Sequence, residues 1–295
     1  MTNADQWRYP DAIVECEWLF KHLEDENIRI FDCTTYLHYT DDHPSKPYDV
    51  ESGVADYKND CIPGAGFIDI QNNLSDNESN YSLTVPNFQS LGESFKQLGI
   101  GDPFHIILYA RNGMQWATRV WYMLYVLGYE NVSILDGGLS EWHRLNLPTE
   151  PGGTYFSPAE FKLSIKASYF VDKDSILTAI ENKNSLIINA LTEDIYLGQS
   201  RRYGRPGRIP TSINIPFHTL VDENTGKFKQ VREVKNIFAS YGATPDREII
   251  NYCGGGIAAT LDAFLLHQLG FNAISVYDNS MSEWAMDKRL PIETG

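Results

Sequence analysis

The chain has 295 residues, 42% hydrophobic and 21% charged, an ordinary globular composition with length for two domains of roughly 150 residues each. Its 39 acidic residues outnumber 24 basic ones, and the formal charge of −15 argues against nucleic acid or an anionic membrane surface as a general partner. The start "MTNADQWRYPDAIVE" lacks the basic and apolar regions of a secretory signal, and four scattered cysteines without a Cys-x-x-Cys pair suit reduced thiols, so a cytoplasmic setting is expected.

In chain order, "RIFDC" (29–33) reads as a short apolar strand. The segment "HYTDDH" (38–43) offers two histidines and two aspartates, but without His-x3-His spacing it reads as a solvated loop rather than a metal site. "CIPGAGFIDI" (61–70) follows, then the strand "IILY" (106–109) leading into "ARNGMQWAT", then "LGYENVSILDGGLSEW" (127–142). A stretch rich in proline and glycine, "TEPGGTYFSPAEF" (149–161), interrupts the pattern. After it the same landmarks return in the same order: "LIINA" (186–190), "RIPTSINIPF" (208–217), "IINY" (249–252) and "LGFNAISVYDNSMSEW" (269–284). Strands alternating with helical stretches predict an α/β fold in two copies, one over 1–148, a linker over 149–164 and a second over 165–295. Trp142 and Trp284 close matching units and are expected in the core.

The copies differ at one point. "EIINY" is a strand, "GGG" cannot continue it, and "AATLDAFLLHQL" has helical spacing up to Gly270, so Cys253 sits at a strand-to-helix turn. Backbone N–H groups converge at such a turn and the helix dipole favours an anion there, so an anionic sulfur is stabilised. A buried structural thiol is the plain alternative, and it is the reading kept for Cys16, Cys33 and Cys61. Gly254, Gly255 and Gly256 separate Cys253 from these three, because a core cysteine has no use for a loop stripped of side chains. The loop also satisfies G-x-G-x-x-A, but too little chain follows for a dinucleotide domain, and the first copy lacks the fingerprint. A cysteine phosphatase needs Cys-x5-Arg, and Ala259 stands where that arginine would be.

These residues resemble the two-domain rhodanese family of thiosulfate and 3-mercaptopyruvate sulfurtransferases. "IPGAGFIDI" and "GRIPTSINIPF" are similar to the signatures of its two domains, "CGGGIAA" to its mercaptopyruvate-type loop C-G-S-G-V-T-A, "YDNSMSEW" to Y-D-G-S-W-S-E-W, and "PIETG" to P-V-E-T-G. The resemblance implies two tandem rhodanese-like domains, each a parallel-rich sheet flanked by helices. It also implies sulfur transfer through a Cys253 persulfide cradled by Gly254, Gly255, Gly256, Ile257 and Ala258, with no metal or organic cofactor. The first domain, with Ala110 at the matching strand end, would be inactive.

Two arginines of the mercaptopyruvate pattern are missing: Asn189-Ala190-Leu191 replaces D-A-R, and Ile195-Tyr196-Leu197-Gly198 replaces R-F-x-G. Thiosulfate is therefore expected ahead of 3-mercaptopyruvate as donor. Arg201 and Arg202, in a run of four arginines ending at Arg208, are the candidates for binding it, with a solvated surface loop as the alternative. Expected partners are a small sulfur donor, a thiol or cyanide acceptor and, as a further candidate, a thiol protein. A persulfide carrier or sensor without turnover is the competing function.

Overall fold

The computed structural model describes residues 6–40, 46–166 and 169–295. Asp41, Asp42 and His43 of the polar cluster lie outside the described residues, whereas His38 pairs with Glu51.

The strands are β1 (Ile13–Val14), β2 (Ile28–Asp32), β3 (Thr35–Tyr39), β4 (Tyr48–Ser52), β5 (Gly66–Phe67), β6 (His105–Tyr109), β7 (Val132–Leu135), β8 (Phe170–Val171), β9 (Ser185–Asn189), β10 (Ile213–Asn214), β11 (Glu248–Tyr252) and β12 (Ile274–Tyr277). The helices are α1 (Cys16–Lys21), α2 (Val54–Asn59), α3 (Ile70–Asn73), α4 (Phe88–Gln97), α5 (Gln115–Val126), α6 (Gly138–Arg144), α7 (Lys173–Glu181), α8 (Glu193–Tyr196), α9 (Val231–Ser240), α10 (Ala259–Gln268) and α11 (Ser280–Trp284). None among the described residues is long and apolar enough to cross a membrane.

The strands form two parallel sheets of identical order, β1-β7-β6-β2-β5 and β8-β12-β11-β9-β10. The central strands β6, β7, β11 and β12 are rich in isoleucine and valine and almost wholly buried, as strands covered by helices on both faces must be. The repeat landmarks thus occupy equivalent places. Trp142 and Trp284 match closely: both are fully buried, and each donates its indole N–H to a proline carbonyl shortly after its helix, at Pro148 (2.8 Å) and Pro291 (2.7 Å). Gly270 follows α10 with φ of +87°, the left-handed geometry of a helix C′ residue.

One element has no counterpart among the described residues of the second repeat. The antiparallel pair β3 and β4 is inserted in the first repeat after β2. Residues 149–164 run along the first repeat as pinned chain: Cys61 bridges to Glu150, Asp102 to Glu160, and the Ser164 N–H reaches the Leu127 carbonyl at 2.8 Å.

The repeats share one apolar core. Helices α5 and α10 meet across it, with the Thr118 and Thr260 hydroxyls 3.0 Å apart and the Trp121 and Phe264 rings edge to face at 4.7 Å. The nearly complete burial of both helices explains why apolar residues occupy more than one face of each. Reciprocal clamps flank this contact. Asp136, after β7, accepts the Phe228 N–H at 2.8 Å, and Asp278, after β12, accepts the Val85 N–H at 2.7 Å.

Candidate active site

Strand β11 delivers Cys253 to the C-terminal edge of the second sheet, and α10 starts six residues later. The Cys253 N–H donates to the Ser280 hydroxyl at 3.0 Å, and its carbonyl accepts the Met281 N–H at 3.1 Å. The Gly254 carbonyl takes both the N–H (2.8 Å) and the hydroxyl (2.7 Å) of Ser282. The start of α11 therefore fixes the outgoing carbonyls of the loop. No hydrogen bond among the described residues engages the N–H groups of residues 254 to 258, which leaves them for a ligand.

Cys253 is buried at the floor of a cleft of about 80 Å³. Gly254, Gly255, Ile257 and Ala258 share its lining, together with Leu191, Tyr203 and Phe217 of the second repeat. The opposite wall comes from the first repeat: Leu37 and Tyr39 of β3, Tyr48 of β4, and Gln115 and Trp116 at the start of α5. The first repeat, where Ala110 follows the matching strand, thus supplies five of the thirteen lining residues. None of the lining side chains carries a formal charge.

The three glycines serve different purposes. A Cβ at position 254 would strike the Tyr203 ring, whose Cε1 would be 2.6 Å away, and one at 255 would strike the Tyr48 hydroxyl. Both phenols lie against the loop, and the absence of a Cβ at 254 and 255 admits these two tyrosines. Gly256 has φ of +75° and lies outside the cleft lining. Its carbonyl accepts from Arg119 Nη1 at 3.1 Å, and there the left-handed backbone itself demands glycine.

Arg119 reaches in from α5. Fully buried, it pairs with Asp278 at 2.7 Å and donates to the Leu83 carbonyl at 2.8 Å. Burial raises the Tyr48 and Tyr203 phenols above their ordinary range, and the nearby Cys253 sulfur adds to the rise, so both stay protonated and able to donate. Burial pushes the Cys16 and Cys61 thiols up to about 12, and Cys33 well above its usual value.

The arginine run divides. Arg205 donates to the carbonyls of Trp284, Ala285, Asp287 and Leu290, and Arg208 binds Glu293 and the Gly295 carbonyl, so both tie down the C-terminal segment. The Arg202 guanidinium stacks over the Tyr39 ring, 3.9 Å from its centre, immediately behind the cleft wall. Arg201 is exposed and does not line the cleft. The residues that sequence reasoning missed are Tyr39, Tyr48, Gln115, Trp116, Arg119 and Tyr203. Five of these six belong to the first repeat, where no local motif points to a site on the second.

A family model described as a rhodanese-like domain matches residues 15–145 and 173–287. The 3-mercaptopyruvate sulfurtransferase of Escherichia coli K12 is 32% identical over 284 residues, covering 95% of this chain and 97% of the relative. That of Mus musculus is 30% identical, covering 93% and 92%. Among solved structures, SseA from Escherichia coli, a 3-mercaptopyruvate sulfotransferase of rhodanese fold, superposes with a TM-score of 0.77 at 29% identity, over 91% of this chain and 98% of that one.

Proposed function

Because the chain belongs to the rhodanese family of sulfurtransferases, we propose that Cys253 takes sulfur from a small donor, carries it as a persulfide and passes it to a thiol or to cyanide. The carrying observation is that Cys253, alone of the four cysteines, lines the cleft, under unengaged N–H groups at the head of α10. A persulfide anion has its negative charge on the outer sulfur, and those N–H groups and the phenol O–H groups suit it.

The thiosulfate preference read from the missing arginines gains no support, and relatives that act on 3-mercaptopyruvate favour that donor. In the proposed cycle the Cys253 thiolate attacks the sulfur of 3-mercaptopyruvate. A sulfur–sulfur bond forms as the donor's sulfur–carbon bond breaks, and the bonding pair passes into the enolate of pyruvate. The enolate takes the proton of the donor's own thiol and leaves as pyruvate. An acceptor thiolate or cyanide then attacks the outer sulfur, and the Cys253 thiolate returns. The steps balance without an external oxidant or reductant. Arg201 and Arg202 are our candidates for drawing an anionic donor to a cleft mouth in a chain of formal charge −15.

The test is direct. After incubation with donor and removal of small molecules, the intact protein should gain the mass of one sulfur atom, and acceptor should remove it. Parallel lines in two-substrate kinetics should accompany this. Retention of the mass gain in Cys253→Ser would falsify the assignment.

A further inference from the structure

One buried hydrogen-bond donor, on a residue of the cleft wall, lacks a partner among the described residues. Trp116, the second residue of α5, lines the cleft and is only 3% exposed, yet its buried Nε1–H meets no acceptor among the described residues. The indoles of Trp142 and Trp284, buried to the same degree, both have one. An unpaired buried N–H costs about 1–3 kcal/mol, so an indole at this place is better explained by an acceptor that arrives with the substrate. The surroundings narrow what that acceptor is. The nearby donors are neutral too, the phenols of Tyr48 and Tyr203 and the amide of Gln115, and no charged side chain lines the cleft. Such a wall can hold an oxygen atom with partial or single negative charge, but it offers no counter-charge to a desolvated dianion.

We infer that the Trp116 indole N–H is a specificity-determining donor to an oxygen atom of the sulfur donor. It selects monoanionic thiols of the 3-mercapto-2-oxo acid class over the thiosulfate dianion. The inference rests on the Cys253 reading. It gives the nucleophile-free repeat a chemical part in donor choice, through a residue that touches the donor rather than the sulfur-carrying thiol. The volume, about 80 Å³, limits any donor to a handful of non-hydrogen atoms beside the sulfur.

The experiment compares wild type with Trp116→Phe on three donors: 3-mercaptopyruvate and thiosulfate in steady state, and ethyl hydropersulfide, which has no oxygen and carries at most one negative charge, in loading of Cys253 followed by mass; the Cys253 thiolate takes its outer sulfur and ethanethiolate leaves. The expected result is that kcat/KM for 3-mercaptopyruvate falls about tenfold, the equivalent of one hydrogen bond, while hydropersulfide loading falls several-fold less. Equal losses on both, or no loss with 3-mercaptopyruvate, overturn the role of the indole. Replacement of the Trp116 indole by its benzothiophene isostere, which keeps the shape and deletes the N–H, gives the same contrast without a packing change. Wild type that turns over thiosulfate better than 3-mercaptopyruvate overturns the donor class and leaves the persulfide reading intact. Failure of the hydropersulfide to load wild type, or loading that persists in Cys253→Ser, overturns the Cys253 reading and this inference with it.

Discussion

At Gly254 and Gly255 the missing side chains make room for particular tyrosine atoms, and the two positions make different demands. A methyl group at 255 would overlap the Tyr48 hydroxyl, but the next ring atom, Cζ, would lie at a comfortable 3.5 Å. A methyl group at 254 would overlap the Tyr203 hydroxyl and the ring carbons behind it, and that side chain is buried. Gly255→Ala should therefore destabilise the protein by about 1–3 kcal/mol, and Tyr48→Phe should restore most of the loss in the double variant. Gly254→Ala should lose at least as much and gain little from Tyr203→Phe. Denaturation midpoints of the four single and two double variants check this, and equal rescue at both positions would contradict the geometry.

Among the elements, α5 both lines the cleft, through Gln115 and Trp116, and braces the loop after β11. Its Arg119 binds the Gly256 carbonyl and Asp278 together, so it ties the Cys253 turn to the clamp between the repeats. Arg119→Met leaves Asp278 buried beside an apolar side chain, and removing one partner of a buried ion pair costs about 3–5 kcal/mol. The variant should lose stability of that order in denaturant titrations and also lose kcat, since the turn carbonyl is released; a loss under about 1 kcal/mol would show that the pair is dispensable. The elements also show why part of the site was legible in the sequence. Central strands such as β6 and β11 followed from paired landmarks, "IILY" with "IINY", and the strand-glycine-helix pattern placed Cys253 at its turn, because these signals are local. The hairpin of β3 and β4 has no second copy to be compared with, and its Tyr39 and Tyr48 meet Cys253 only through contacts some two hundred residues apart. Arg119 and Trp116 lie in an apolar helical stretch whose residues look like core. Arg205 and Arg208 were grouped by sequence proximity with Arg201 and Arg202, but their carbonyl partners lie at the C-terminus, which no local pattern shows.

Across the whole molecule, the two clamps occupy equivalent positions but differ electrostatically. Asp278 faces Arg119, whereas Asp136 faces Lys227 only at 3.8 Å and has Glu15 and Glu141 nearby. Burial is the largest influence on Asp136 and pushes its carboxyl up from 3.8 to about 7, against the Phe228 hydrogen bond and Lys227, which pull it down. Between those two values the native protein holds a proton that the unfolded chain has released, so this group makes stability fall as pH rises through the window. Asp136→Asn keeps an oxygen for the Phe228 N–H and cannot ionise. Its stability relative to wild type should therefore increase from pH 5 to pH 8 in denaturant titrations; a constant difference would show that Asp136 does not titrate in that range.

The hairpin of β3 and β4 also bears on how such a protein can change over time. After a duplication, the copy with the thiol is constrained at its loop, where Gly254 and Gly255 make room for tyrosines and Gly256 takes a left-handed backbone. The other copy reaches the same cleft with an inserted hairpin and the tip of one helix, and neither carries the thiol. Selection can therefore vary the wall that meets the donor while the chemistry stays fixed, and new preferences are expected to arise by drift in the first half of the gene.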